Sequence, residues 1–470
     1  MKQATALLLG AVALGIAACA SVHNLPLNQP SASPIVQSAG AAAAAAGADF
    51  EKEGGAGGTV IGLAFSGGGT RAASFAFGVL DGLARTPLRA GNKQESVLDH
   101  VALVSGVSGG SVTAAYFGLR GRDALTDFRQ KFLTKNVMAA LETSVNLGTL
   151  SRAMGGGVNT DNRMRDWLNE NLFHDATLGQ MFARRRPIVL INATDIYSRS
   201  PFPFVPLSFA AACSDILSYP LAAAVAASSA VPAAFAPIVI ESYPERCPTP
   251  LPEWVTRAAA DPTTSPQLHA YTKGLVDIRS GKVKYVKLFD GGLIDNYGLS
   301  AITIMRAGSG TPYGPLRPED AVKLRRMLFL VVDAGRGPEG NWSTTLEGPA
   351  GKELVGAVVD VLVDANAHAS YAAFEATMKN WRDGMVRWRC SLKPAEVAKL
   401  RGRAGPWNCR DLKVEIGQVG FSQLDPARAK KLNAVPTTFN LPAESVDALI
   451  DAGRDAVVDN PTFRRFLKEM

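Results

Sequence analysis

His100-Val101-Ala102-Leu103-Val104-Ser105-Gly106-Val107-Ser108-Gly109-Gly110-Ser111 is the stretch that decides the fold. Residues 100–104 are a short, mostly apolar run of the kind that forms a strand buried on both faces. Residues 106–110 are a tight, glycine-rich turn, and residues 111–119 open a helix. The same grammar occurs upstream. Val60-Ile61-Gly62-Leu63-Ala64-Phe65 runs into Ser66-Gly67-Gly68-Gly69, and residues 70–85 follow with Ala73, Phe77, Leu80 and Leu83 at helical spacing. Further buried strands are expected at residues 187–193, 283–289 and 327–333, and helices at 353–379 and 443–452. Strands alternating with helices predict an α/β chain with a doubly wound, mostly parallel sheet and ligands at the carboxyl ends of its strands.

Gly106-x-Ser108-x-Gly110 therefore sits where a strand turns sharply into a helix. That placement makes Ser108 a candidate nucleophile, because the flanking glycines tolerate a strained turn and clear space around Oγ. The helix beyond it aims its positive end at developing negative charge. Gly67, Gly68 and Gly69 expose backbone N–H groups that no side chain shields, as the oxyanion of an acyl-transfer intermediate needs. The spacing of Gly-x-x-x-x-Gly-Lys and of Gly-x-Gly-x-x-Gly is absent here, so neither a nucleotide cradle nor a dinucleotide cofactor is expected. Arg71 either adds positive charge near the oxyanion or anchors the loop.

A serine hydroxyl needs a base. Asp290, in Asp290-Gly291-Gly292 at the end of the 283–289 strand, offers a carboxylate held in a tight turn. His368 is the one histidine that follows it, and its place in a helical run of apolar neighbours reads as structural. The direct solution is a Ser108–Asp290 dyad in which burial raises the pKa of Asp290 towards working pH.

A glycine-rich turn, Gly-x-Ser-x-Gly and Asp-Gly-Gly in this order resemble the patatin-like phospholipase family. Two more stretches are similar to that family: Ala226-Ala227-Ser228-Ser229-Ala230-Val231-Pro232 with Phe235 and Pro237, and Val435-Pro436-Thr437-Thr438-Phe439 before a helix. The likeness runs over residues 59–455. It implies a single-domain, three-layer α/β/α fold and hydrolysis of fatty-acyl esters through an acyl-enzyme. Ser108 would then be the nucleophile, Asp290 the base, and Gly67, Gly68 and Gly69 the oxyanion loop. The substrate implied is a membrane phospholipid or lysophospholipid, with no cofactor. Ser66 departs from the pattern, since many members carry Asp there, and a changed loop geometry is expected. Two alternatives remain open, an acyltransferase using the same dyad and a non-catalytic lipid-binding envelope lipoprotein.

The first residues carry a different signal. Lys2 followed by the apolar run 4–16 reads as a signal peptide over residues 1–18. Ile16-Ala17-Ala18-Cys19 resembles a bacterial lipobox, which makes Cys19 a candidate for lipidation and membrane anchoring. Ala20 after it suggests sorting to the outer membrane of a cell envelope, facing the periplasm. Residues 19–58 read as a flexible tether rich in small and polar residues, and residues 59–470 as the hydrolase domain. In an oxidising compartment Cys213, Cys247, Cys390 and Cys409 admit two disulfides in three possible pairings, the nearest-neighbour pairing being Cys213–Cys247 with Cys390–Cys409.

Across its 470 residues the chain is 47% hydrophobic with a net charge of +7, and its densest basic cluster is Arg184-Arg185-Arg186. No basic stripe interleaved with aromatics occurs, so nucleic acid is not an expected partner. The five histidines lack metal-ligand spacing, and no metal site is expected. Residues 137–171, with Leu147, Leu150, Met154 and a Gly155–Gly157 run, read equally as a mobile lid and as an ordinary surface insertion. Pro201-Phe202-Pro203-Phe204-Val205-Pro206 reads as a rigid buried turn or as part of an acyl groove.

Overall fold

The computed structural model describes residues 24–31, 58–90, 93–141, 162–184, 186–232, 235–247, 249–335 and 344–469. The signal segment, Cys19 and Leu147 through Gly157 lie outside them. Among the described residues are ten strands: β1 (Thr59–Phe65), β2 (Pro87–Ala90), β3 (Lys93–Ser96), β4 (Val101–Val107), β5 (Ile188–Asp195), β6 (Ser200–Pro203), β7 (Ile238–Glu241), β8 (Tyr285–Asp290), β9 (Arg326–Asp333) and β10 (Lys413–Gly420). The helices that matter for the site are α1 (Gly69–Arg85), α2 (Gly109–Arg120), α3 (Leu221–Ser228), α4 (Ser300–Ala307), α5 (Gly351–Ser391) and α6 (Ala443–Asp459).

Eight strands form one sheet in the order β10-β9-β1-β4-β5-β8-β7, with β6 on β5, while β2 and β3 make a separate hairpin. β10, β9, β1, β4 and β5 are parallel. Side chains of β1 alternate between layers. Ile61, Leu63 and Phe65 enter the larger core under α1, α2 and α6, and Ala64 enters a second core with Phe329, Phe374 and Trp381 under α5. Helices on both faces bury this sheet, and that is why its strands read as continuous apolar runs.

The far side of this mostly parallel sheet runs antiparallel. β8 pairs antiparallel with β5, and β7 antiparallel with β8. Val107 stands opposite Asn192, and the next residue of β5, Ala193, stands opposite Asp290. The end of β8 thus arrives from the opposite direction at the height where β4 gives way to Ser108.

Part of the expected tether is held to the domain. The buried Asn24 amide donates to the carbonyls of Ala236 (3.1 Å) and Pro237 (2.9 Å). Asn28 donates to Glu241 O (2.8 Å) and accepts from the Glu241 N–H (2.9 Å). Two side-chain amides thus meet backbone groups at β7, an attachment that composition does not reveal. Of the possible cysteine pairings, the structure contains Cys213–Cys247 and Cys390–Cys409. Phe202 and Phe204, from the proline-flanked stretch, are buried against Phe209 and Tyr219. Among the described residues no helix is long and apolar enough to cross a membrane.

Candidate active site

Ser108 is the hinge between β4 and α2. Its φ of 51° and ψ of −125° are conformations that a side chain with a Cβ rarely adopts. Its surroundings enforce them. The Ser108 N–H donates to both the carbonyl (3.1 Å) and the hydroxyl (3.0 Å) of Ser228, at the end of α3. The Ser228 hydroxyl in turn donates to Asn192 O at 2.6 Å. On the helix side, the Ser108 carbonyl accepts from the Ser111 N–H (2.9 Å) and hydroxyl (2.6 Å). Gly109 is required by close approach, since a Cβ there would stand 1.9 Å from the Gly69 carbonyl oxygen.

The carboxyl of Asp290 faces that serine. Asp290 is buried and accepts from the Gly292 N–H at 2.8 Å, and the Ser108 side chain lies beside its carboxyl. Burial pushes its pKa up to about 6, against the lowering effect of the Gly292 N–H and the neighbouring Ser108 hydroxyl. The Asp290 main chain is fixed to the Ala/Ser-rich segment, with its N–H donating to Ala230 O (2.8 Å) and that of Gly291 to Ser228 O (3.4 Å). One short segment thus holds both the serine turn and the aspartate turn.

The glycine loop lies over the same spot. A Cβ on Gly67 would be 3.5 Å from that of Ser108, and Gly68, with φ of 136°, adopts a backbone that only glycine takes readily. The three glycines are not equivalent. The Gly67 N–H donates to the carbonyl (3.0 Å) and the side chain (3.2 Å) of Asn296, so it is already engaged. Among the described residues no acceptor takes the N–H groups of Gly68 and Gly69. The N-termini of α1 and α2 begin at Gly69 and Gly109, so two helix dipoles turn their positive ends towards Ser108.

Arg71 and Ser66 serve this loop. The Arg71 side chain is buried and donates from Nη1 to Val435 O at 2.9 Å. The Thr70 N–H donates to Thr438 O at 2.9 Å, so the Val435–Phe439 tail clamps the loop from outside. The Ser66 hydroxyl accepts from the Ala334 N–H at 3.0 Å, joining the loop to the end of β9.

Asn192, Ser228 and Asn296 escape a reading for chemistry, since each acts by fixing backbone, and Ser228, though within the Ala226–Pro232 stretch, has no role read from sequence. Asn192 donates to the Ser105 hydroxyl (2.8 Å) and to Gly106 O (3.0 Å), and its carbonyl receives Ser228. His368, expected as a structural histidine among apolar neighbours, is exposed on α5, where the helix turns it outwards. Among the described residues no histidine bonds to Ser108 or Asp290, and no cluster of His, Cys, Asp and Glu is arranged to hold a metal ion.

This geometry has a family. The family model for the patatin-like phospholipases matches residues 63–302, half of the chain and the whole of the Gly67–Ser108–Asp290 constellation. The chain belongs to the patatin-like phospholipase family. Among solved structures it is similar to human GIVD cytosolic phospholipase A2, at 14% identity and a TM-score of 0.41 over 93% of this chain. The similarity spans 63% of that human chain. No curated protein matches the sequence. The family's three-layer α/β/α arrangement is the one described above, with β6, β7 and β8 as its antiparallel margin.

Proposed function

We propose that this patatin-like protein hydrolyses fatty-acyl esters of membrane lipids with Ser108 as nucleophile and Asp290 as its base. The Ser108 side chain beside a buried, pKa-raised carboxyl, both turns being held by the Ser228–Ala230 segment, carries this reading. Asp290 takes the hydroxyl proton as Oγ attacks the ester carbonyl. The N–H groups of Gly68 and Gly69 receive the oxyanion, with Gly67 and Arg71 holding the loop in place. Asp290 then returns the proton to the departing alcohol, leaving an acyl-serine. Water gives its proton to Asp290 and attacks that ester, and Asp290 returns the proton to Ser108 Oγ as the bond to it breaks and the fatty acid leaves.

The surface supports a substrate held in a membrane. In the first part of α5, Leu354, Val358, Val361 and Leu362 recur at helical spacing and are 47%, 51%, 66% and 58% exposed. The same helix touches the aspartate turn, with Asn366 donating to Leu293 O (3.0 Å) and Ser370 to Asp295 (2.9 Å). A bilayer is the partner that accepts such a stripe beside an ester-cleaving site. Lipidation at Cys19 after removal of residues 1–18 would hold the protein on that bilayer, in the cell envelope and outside the cytoplasm.

Ser108→Ala and Asp290→Asn should each lower ester hydrolysis more than about a thousandfold while the protein stays folded. A fluorophosphonate should label the peptide containing Ser108. Near-full activity of Asp290→Asn would rule the dyad out, and acyl transfer to added alcohols exceeding hydrolysis would make the enzyme a transacylase. Cys19→Ser should move the protein from the membrane fraction to the soluble fraction.

A further inference from the structure

A cavity of about 710 Å³ lies on the face of the sheet covered by α4 and α5. Its walls include Leu103, Ile188, Ile304, Phe329, Trp254 and Trp381. It is separate from the dyad. Leu103 precedes Ser108 by five residues of strand, about 16 Å at the rise of an extended chain. The volume is that of a pocket for one small ligand, and the walls are those of an apolar one. Pro203, Val205 and Pro206 form part of its edge, so that proline-flanked stretch borders an apolar cavity distant from the nucleophile.

Two guanidinium groups stand among these apolar walls. Arg317 is paired with Asp320 through bonds of 2.8 and 3.1 Å. Arg306 is different. Its Nη1 donates to the carbonyls of Thr311 (2.9 Å) and Gly314 (3.1 Å), and among the described residues no carboxylate pairs with it. Its Nε and Nη2 donors have no protein acceptor there. A half-buried cation beside an apolar cavity is matched by one carboxylate at the end of a hydrocarbon chain.

We infer that this cavity is a second lipid site, one that binds a long-chain fatty acid with its chain between the sheet and α5 and its carboxylate on Arg306. The ligand is of the same class as the acid that the proposed reaction releases. The site stands independently of that reading, because none of its residues belongs to the dyad or the glycine loop.

Ser108→Ala protein, which cannot turn over a lipid, should bind the fluorescent fatty acid cis-parinaric acid at a single saturable site. The methyl ester of the same acid should bind about tenfold more weakly. Arg306→Met should weaken the acid about tenfold and leave the ester unchanged, and Leu103→Trp should fill the cavity and remove both. Wild-type protein already labelled at Ser108 by a fluorophosphonate should bind the acid as before. The inference is overturned if the acid does not bind, if acid and ester bind alike, if neither substitution matters, or if labelling Ser108 blocks binding. Failure of the dyad reading would appear separately, as absence of labelling at Ser108.

Discussion

The Asn296 side chain accepts the Gly67 N–H at 3.2 Å, six residues beyond Asp290 on the turn that carries it. The position of Asp290, the proposed base, and that of the Gly67–Gly69 loop are thus set by one another. Asn296→Ala removes the side-chain half of a shared bond and leaves the main-chain half at 3.0 Å. We expect kcat to fall ten- to a hundredfold on a soluble ester, with KM within about threefold, because loop geometry is felt mainly in the transition state. Asn296→Asp keeps an acceptor but sets a charge near Asp290, so the acid limb of its pH profile should move upwards. An unchanged kcat in both variants would show that the loop holds its shape without this bond.

The pH dependence follows from the state of Asp290. With its pKa pushed up to about 6 by burial, Asp290, as the proposed base, is protonated and idle in more acidic solution. The value of kcat/KM should rise through pH 6 along a single limb and level off above pH 7. The rate of fluorophosphonate labelling, which reports the free enzyme, should trace the same limb. A flat profile between pH 5 and 7 would contradict a buried carboxyl base.

The same burial makes Asp290 a cost to the fold. Its ordinary pKa is 3.8 and its folded value about 6, so the folded state holds the proton more tightly. Below pH 4 both states are protonated and no penalty exists. As pH rises from 4 to 6 the unfolded chain releases its proton first and stability is lost. Above pH 6 the loss is complete, up to about 3 kcal/mol. Asp290→Asn should therefore be inactive yet more stable than wild type at pH 8, with the gain vanishing near pH 4. Thermal unfolding at the two pH values measures this, and a variant less stable at pH 8 would contradict it.

Much of this was legible because it rests on local chemistry. Val60–Phe65 and the run before Ser105 are apolar on both faces, which only a strand between two helical layers needs, and the glycines after them mark the turns. Ser108 and Asp290 stand out because their residue types carry chemistry. The direction of β8 did not, since a short apolar run reads alike in either direction and its pairing with β5 is settled only in three dimensions. The roles of Ser228 and Asn192 were equally silent. Each works through a backbone oxygen of a segment distant in sequence, and nothing in a serine or an asparagine announces that partner. The helix ending at Ser391 extended past its expected end at residue 379 because Met385 and Arg389 bury against the second core and Asp411, which periodicity near residue 379 does not report.

The exposed stripe of α5 gives a test that separates docking from chemistry. Leu354, Val358, Val361 and Leu362 face solvent, and none of them contributes to the turn that holds Asp290. Fully burying such side chains in a bilayer stabilises by about 1.5–3 kcal/mol each, so charges at two of them remove about a hundredfold or more of binding. Val358→Glu with Leu362→Glu should lower hydrolysis of phospholipid vesicles at least tenfold and reduce sedimentation with those vesicles. Hydrolysis of a short, water-soluble ester should stay within about twofold of wild type, because Asn366 and Ser370 still hold the aspartate turn. Equal losses on vesicles and on the soluble ester would assign the stripe to the integrity of the catalytic site. Unchanged vesicle hydrolysis would move the membrane-facing surface elsewhere on the molecule.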